Sequence, residues 1–358
     1  MAEIYKPFGP DDIVAGDIQT VSQPLWSEGM NPYSASYSAS AGIGFYTSST
    51  QIANSGNYLV NIYHRNPSTD PAAAIQFAIA YGHSKGSGSV GDAATIGQNV
   101  NDTPSRAIYS QYRNMLLPPT DTAFTFGSDN PDDIMVINIA RSRFRQKIDP
   151  GNWTLRIGSG SSGVYNNWTG SAAQYKEFTD NSGANENPTV NQAGRVFNIM
   201  SGSNGTVVGT DVYGLFYPDA GVMVFDANKL KTKLNMPINS GSQVQAQNHV
   251  TMSYAIGNNQ GPSKGASYFA ARSEEKVTST HYFVRVTNKQ YNFSNNPTFT
   301  SGSNGSFAHA SMLRNPSVYI TTIGMYDDSN RLLAVAKLSK PLLKSFNREA
   351  LIKVKLDY

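Results

Sequence analysis

The stretch Tyr319–Tyr358 constrains the fold most. Tyr319-Ile-Thr-Thr-Ile-Gly-Met-Tyr326 is rich in β-branched and aromatic residues, Asp327-Asp-Ser-Asn330 is a turn cluster, and Arg331-Leu-Leu-Ala-Val-Ala-Lys-Leu338 resumes the apolar run. Two such runs around a short polar turn predict a β-hairpin. A polar, Pro-containing connection, Ser339–Ala350, then leads to Leu351–Leu356, where Ile352, Val354 and Leu356 alternate with Lys353 and Lys355. Alternation with a period of two predicts a terminal strand with one apolar face rather than a loose tail.

The same signals recur upstream. Tyr58–Tyr63, Ala74–Tyr81 and Ile134–Ile139 are apolar or alternating runs closed by turn residues, and Val207–Val208, Val212–Tyr217 and Val222–Phe225 form a second cluster. Asp149-Pro-Gly-Asn152 reads as a tight turn into Trp153–Ile157, and His281–Val286 places Tyr282, Val284 and Val286 on one face. Helices are few. Thr103 and Pro104 open one whose face is Ile108, Tyr112, Met115 and Leu116 and which Pro118 and Pro119 stop, while Asp226 caps a shorter one ending at Leu234. Residues 158–206 read as a Gly/Ser/Asn-rich surface excursion and Asn235–Lys264 as a second polar gap. Ser201-Gly-Ser-Asn-Gly205 recurs as Ser301-Gly-Ser-Asn-Gly305, and Asn-Gly suits a type I′ hairpin turn in both places.

The N-terminus differs. Pro7, Pro10, Pro24 and Pro32 interrupt regular structure, and Asn31–Ser40 is a low-complexity tract of small residues. Yet Ile4, Tyr5, Phe8, Ile13, Val14, Ile18, Leu25 and Trp26 are spread along it, more apolar surface than a disordered tail carries. The reading is an extended arm that docks on another surface, such as an adjacent subunit. The expected fold is therefore mainly β: antiparallel sheets in two or more β-sandwich-like domains, few short helices and an extended N-terminal arm. The divisions fall at 1–45 (arm), 46–157 (β domain with one helix), 158–265 (excursion and second β cluster) and 266–358 (C-terminal β domain).

Composition narrows the function. Charged residues are 15% of the chain against about 25% in ordinary globular proteins, which suits a surface covered by copies of itself or by neighbours. The absence of cysteine excludes disulfides and thiolate metal sites. The first residues lack the basic and apolar regions of a secretory signal, and no run of about 18 apolar residues suggests a membrane span, so a cytoplasm or a particle assembled there is the expected location. A net charge of +3 is too small to argue for nucleic acid, although Arg331–Tyr358 holds seven Lys/Arg against Glu349 and Asp357 and would favour an acidic neighbour.

Motifs for chemistry fail on context. Gly158-Ser-Gly-Ser-Ser-Gly163 matches a dinucleotide fingerprint, but Val164–Gly170 does not open a helix, so a pyrophosphate would lack its helix N-terminus. Gly82–Gly88 lacks the spacing of a phosphate-binding loop. His64, His83, His249, His281 and His309 show no metal-ligand spacing, and Asp11-Asp12, Asp132-Asp133 and Asp327-Asp328 sit at turns or element ends. No catalytic, cofactor-binding or metal residue is assigned, and no cofactor is expected. Arg141-Ser-Arg-Phe-Arg-Gln-Lys147, read as a strand, sets Arg141, Arg143, Arg145 and Lys147 on one face opposite Phe144, able to grip an acidic protein surface or phosphates.

Asn315–Asp328, Leu332–Pro341 and Arg348–Tyr358 resemble the C-terminus of large virion structural proteins of contractile-tailed bacteriophages, the T-even-like phages and their relatives infecting marine cyanobacteria. The resemblance extends to Phe283–Lys289, Asn292–Pro297, Tyr213–Asp219 and Arg106–Leu117, and so touches most of the chain from about residue 56 onward. It implies a non-enzymatic component of a tail or baseplate, assembled in the host cytoplasm, whose partners are copies of itself and other virion proteins; a membrane is not expected among the partners, and the small net charge argues against nucleic acid. Tyr5, Phe8, Trp26, Tyr33 and Tyr37 in the arm, Arg141, Arg143 and Arg145, and Lys353 and Lys355 are the expected contact residues. A receptor-binding adhesin of a fibre tip, using Gly/Ser/Asn/Tyr-rich loops, is the alternative, followed by a polysaccharide-degrading spike.

Overall fold

The computed structural model describes residues 5–27, 46–47, 59–86, 103–158, 175–183, 188–238, 248–257, 268–294 and 296–358. The chain divides into two compact units, Val21–Glu275 and a smaller one made of Met1–Thr20 with Lys276–Tyr358. These limits differ from the four expected divisions. Two long strands, β1 (Ile13–Pro24) and a later one, Tyr268–Val286, each give residues to both units, so no linker marks the boundary.

In the larger unit the strands are β2 (Tyr46–Thr47), β3 (Leu59–Tyr63), β4 (Ile75–His83), β5 (Asp133–Ile139), β6 (Lys147–Gly158), β7 (Tyr175–Asp180), β8 (Thr189–Asn191), β9 (Gly194–Ser203), β10 (Thr206–Tyr217), β11 (Val222–Asp226) and the first part of β12 (Tyr268–Val286). They pair in the order β12-β6-β7-β9-β10-β11-β5-β4-β3-β2, antiparallel throughout, with β8 on β9. The fold is mainly β, with a large antiparallel sheet and three short helices among the described residues: α1 (Pro104–Leu116), α2 (Ala227–Leu234) and α3 (Asn248–Gly257). Alternation sorts the apolar side chains onto two faces. Met135, Ile137, Met223 and Phe225 share one cluster with Leu230 and Leu234 of α2 and Val250 and Met252 of α3. Ile134, Val136, Val222 and Val224 share the other with Tyr109, Tyr112 and Leu116 of α1. A strand covered on both faces reads as a continuous apolar run, which is why β5 does.

Several local expectations need correction. The face of α1 is Tyr109, Tyr112 and Leu116 with Ile108 packed beside them, while Met115 is exposed, and the Thr103 hydroxyl donates to the Gly86 carbonyl instead of capping the helix. The helix lies so close to β4 that a Cβ on Gly82 would stand 2.9 Å from the Tyr109 nitrogen. Asp149–Asn152 is no hairpin turn but a bulge inside β6, between the pairs Ile148–Ser273 and Trp153–Ala271. Within 158–206, β7 and β9 are core strands that bury Phe178, Phe197 and Ile199, while Tyr165 and Trp168 lie outside the described residues. The second polar gap contains α3. The first Asn-Gly turn is as expected, with Asn204 at φ 47° and Gly205 at φ 73°. In the second copy Gly302 and Gly305 take positive φ and Asn304 does not, because four residues rather than two join the paired Ser301 and Ser306. Asp226 caps α2 as expected, accepting from the Lys229 amide at 2.9 Å.

The smaller unit holds Ile13–Thr20 of β1, the end of β12, β13 (Thr300–Ser301), β14 (Ser306–Phe307), β15 (Ser317–Tyr326), β16 (Leu332–Ser345) and β17 (Ala350–Asp357). The expected hairpin is β15–β16. The Asp327 carboxylate closes its turn by accepting from the Ser329 and Arg331 amides at 2.9 and 2.7 Å, with Asn330 at φ 59°. The expected connection Ser339–Ala350 is mostly strand, since β16 runs on through Pro341 to Ser345 past an irregularity opposite Thr321. β17 pairs with β12, setting Tyr282, Val284 and Val286 opposite Val354, Ile352 and Ala350 on one face. Ile323, Met325, Ala334 and Ala336 of the hairpin meet this face and Phe8, leaving about 20 Å³ between them, room for one water at most.

A candidate assembly surface on the hairpin unit

Most expected contact residues have partners within the chain. Trp26 is 3% exposed, donates its indole N–H to the Phe269 carbonyl at 2.7 Å and stands between Phe77 and Phe269, with ring centroids 5.6 and 4.9 Å away. It is a core residue of the larger unit, not a contact held out for a neighbour. Tyr33 and Tyr37 lie outside the described residues. The basic strip is not a strand. Arg141–Arg143 forms a 3-10 turn, and Phe144 is buried where Gly221 has no side chain to collide with it. The Arg141 guanidinium lies 4.6 Å from the Phe144 ring centroid and donates to the Arg145 and Gln146 carbonyls at 2.6 and 3.2 Å. Arg143 donates to Ser27, and Arg145 pairs with Glu275 at 3.3 Å. These side chains clasp their own unit.

Tyr5 and Phe8 lie on the smaller unit, their rings 5.0 Å from Tyr326 and 5.5 Å from Tyr282, and Lys6 donates to the Arg285 carbonyl. Both aromatics keep an exposed flank. Together with Phe283, Tyr291, Tyr319 and Tyr326 they line an open groove of about 1040 Å³. On β17, Lys353 lies 5.9 Å from the Phe283 ring centroid and Lys355 pairs with Asp357 at 3.1 Å, both on the exposed face.

The contrast in burial is larger than any single contact. Among the described residues the smaller unit has three buried apolar side chains, Val286, Ala350 and Ile352, yet fifteen of the twenty-one exposed large apolar ones. Tyr319, Leu333, Val335 and Leu332 of the hairpin are 65, 63, 58 and 53% exposed. Large apolar exposure of this kind makes the hairpin unit the candidate surface. The sequence carries this signal as apolar runs more continuous than a strand with one wet face requires, notably Leu332-Leu-Ala-Val-Ala336.

The acidic and imidazole groups have local roles. Lys85 at 2.5 Å and the Ser84 hydroxyl hold the Asp132 carboxyl below its usual range. Asp133 is buried, and desolvation together with the charge of Asp226 pushes its carboxyl up to about 6, with the Tyr81 hydroxyl 3.5 Å away. Burial pushes His249 down to about 4. Neither Asp133 nor His249 stood out in the sequence as a perturbed group, because their burial is set by the fold and not by the adjoining residues. Among the described residues no three His, Asp or Glu side chains gather as a metal-ligand set, and no helix is long and apolar enough to cross a membrane.

No protein-family model matches the chain, and no curated protein or solved structure is significantly similar to it.

Proposed function

We propose that this chain is a non-enzymatic structural component of a tailed bacteriophage particle, in the tail or baseplate. It works as one copy of a symmetric oligomer joined through its N-terminal segment and its C-terminal strands, and it is housed in the virion. The observation that carries the reading is the apolar surface of the smaller unit, where a hairpin covered on one face only leaves Tyr319, Leu332, Leu333 and Val335 in water. Removing such a surface from water on assembly contributes roughly 25 cal/mol per Å². The resemblance of Asn315–Asp328, Leu332–Pro341 and Arg348–Tyr358 to virion proteins supplies the setting. Because Leu25 and Trp26 belong to the core of the larger unit, the described part of the N-terminal segment that offers contacts is Tyr5–Thr20. Quantitative mass spectrometry of purified particles is expected to find the chain in a fixed copy ratio to the other tail proteins. Its absence from particles, with the chain left in the soluble lysate, would contradict the proposal.

A further inference from the structure

Among the described residues the outer edges of β1, β15, β16 and β17 all lack a neighbour, and the side chains of two of them, β1 and β16, match. Over Ile13–Thr20, β1 pairs only with β12 among the described residues and stands at the end of the strand order, with Ile13, Val14 and Ile18 exposed at 45, 44 and 64%. An apolar strand open on one edge and both faces is a template for adding another strand. The hairpin β15–β16 is a sheet of two strands, so the outer edge of β16 is also unpaired among the described residues.

Charge decides which edges can meet. Asp17 on β1 and Lys337 on β16 are exposed, and neither has an ion-pair partner among the described residues. Pairing β1 with β1 of a second copy around a twofold axis would bring the two Asp17 carboxylates toward each other, and pairing β16 with β16 would do the same for Lys337. Like charges across a ladder are unfavourable and opposite charges favourable. Spacing decides the direction. Ile13, Ala15 and Asp17 share one face of β1, and Leu333, Val335 and Lys337 share one face of β16. Ile13 meets Leu333 while Asp17 meets Lys337 only when the strands run parallel, and the same alignment sets Ile18 beside Leu338 on the opposite face.

Resting on the assembly reading above, we infer that β1 of one copy adds in parallel to the outer edge of β16 in the next copy, with Asp17 against Lys337. The contact is head-to-tail, so successive copies close into a ring if the rotation per copy divides a full turn, and otherwise grow as a helix.

The test is sedimentation equilibrium of the full chain at low ionic strength. Asp17→Lys and Lys337→Asp are each expected to weaken self-association about tenfold, and the double exchange to restore it. As the chain has no cysteine, an oxidised mixture of Ile13→Cys with Leu333→Cys chains is expected to form the mixed disulfide dimer, and Ile13→Cys with Lys337→Cys is not. Association insensitive to both charge reversals, or cross-linking confined to the Lys337→Cys mixture, overturns the strand pairing and leaves the assembly reading in place. A wild-type chain that stays monomeric at every concentration and is absent from particles overturns both.

Discussion

Val21–Glu275 and the unit formed by Met1–Thr20 with Lys276–Tyr358 are both built of antiparallel strands with alternating side chains, yet they place their apolar residues differently. In the larger unit helices lie against the sheet, and Trp153, Phe178, Phe216 and Phe225 are fully buried. In the smaller unit the hairpin has one covered face, and its most buried large side chain is a lysine. Lys344 is fully buried and donates to the Asn288 carbonyl, the Asn292 amide oxygen and the Ser345 carbonyl at 2.9, 2.9 and 3.1 Å. Burial pushes this ammonium below its usual value while Glu349 pulls the other way. Alternation therefore says which residues share a face, but not whether the chain itself covers that face. The larger unit is stabilised by packing on both faces of its sheet, and the smaller one by the single packed face of its hairpin and a few satisfied polar contacts.

This contrast can be broken at several points. The largest effect is expected from Trp26→Ala, which empties the space between Phe77 and Phe269 and leaves the Phe269 carbonyl without its donor. A loss of about 3–5 kcal/mol in denaturant unfolding is expected, and a loss below about 1 kcal/mol would return Trp26 to the surface. Lys344→Ala removes the donor from three acceptors, with an expected cost of about 2–3 kcal/mol. Hydrogen exchange should rise in β12, β16 and β17 and stay unchanged in β4 and β5.

Asp133 sharpens the comparison through pH. Its folded value, about 6, lies above the unfolded carboxylate, so the folded state binds more protons between about pH 4 and 6. The stability it contributes is complete below pH 4 and lost as pH rises through 6. His249, lowered to about 4, acts oppositely over about pH 4 to 6.5, so the wild-type curve alone is ambiguous. The informative quantity is the difference between wild type and Asp133→Asn, expected to favour wild type by about 1–2 kcal/mol more at pH 4 than at pH 7. A difference independent of pH contradicts the buried carboxyl. The smallest effect on folding belongs to Leu333→Ser with Val335→Ser, within about 0.5 kcal/mol by thermal unfolding, although the pair should abolish self-association.

Features that depend on neighbouring residues were legible in the sequence. Asp327–Asn330 closes a hairpin because its carboxylate reaches amides two and four residues on, Asp226 caps a helix three residues away, and the alternation Ile352, Val354, Leu356 marks β17. Features set by distant residues were not. Nothing near Trp26 announces that its partners are Phe77 and Phe269. Asp149–Asn152 has turn chemistry, but β12 pairs with β6 on both sides of it, so the extra residues bulge instead of reversing the chain. Arg141–Arg145 has strand periodicity, yet with Phe144 buried the arginines turn onto their own unit, Arg141 onto two local carbonyls, Arg143 onto Ser27 and Arg145 onto Glu275. Of the candidate surface, Tyr5, Phe8, Lys353 and Lys355 were picked out by composition. The exposed hairpin face was not, because an apolar run reads as core until the other side of the strand is seen to be empty.

Side-chain oxidation footprinting of the free chain and of the assembled particle tests the central claim most directly. Tyr319, Tyr326, Leu332 and Leu333 are expected to be labelled in the free chain and protected at least several-fold on assembly, while exposed Met115 of the larger unit keeps its labelling. Equal labelling of the hairpin face in both states would contradict the account.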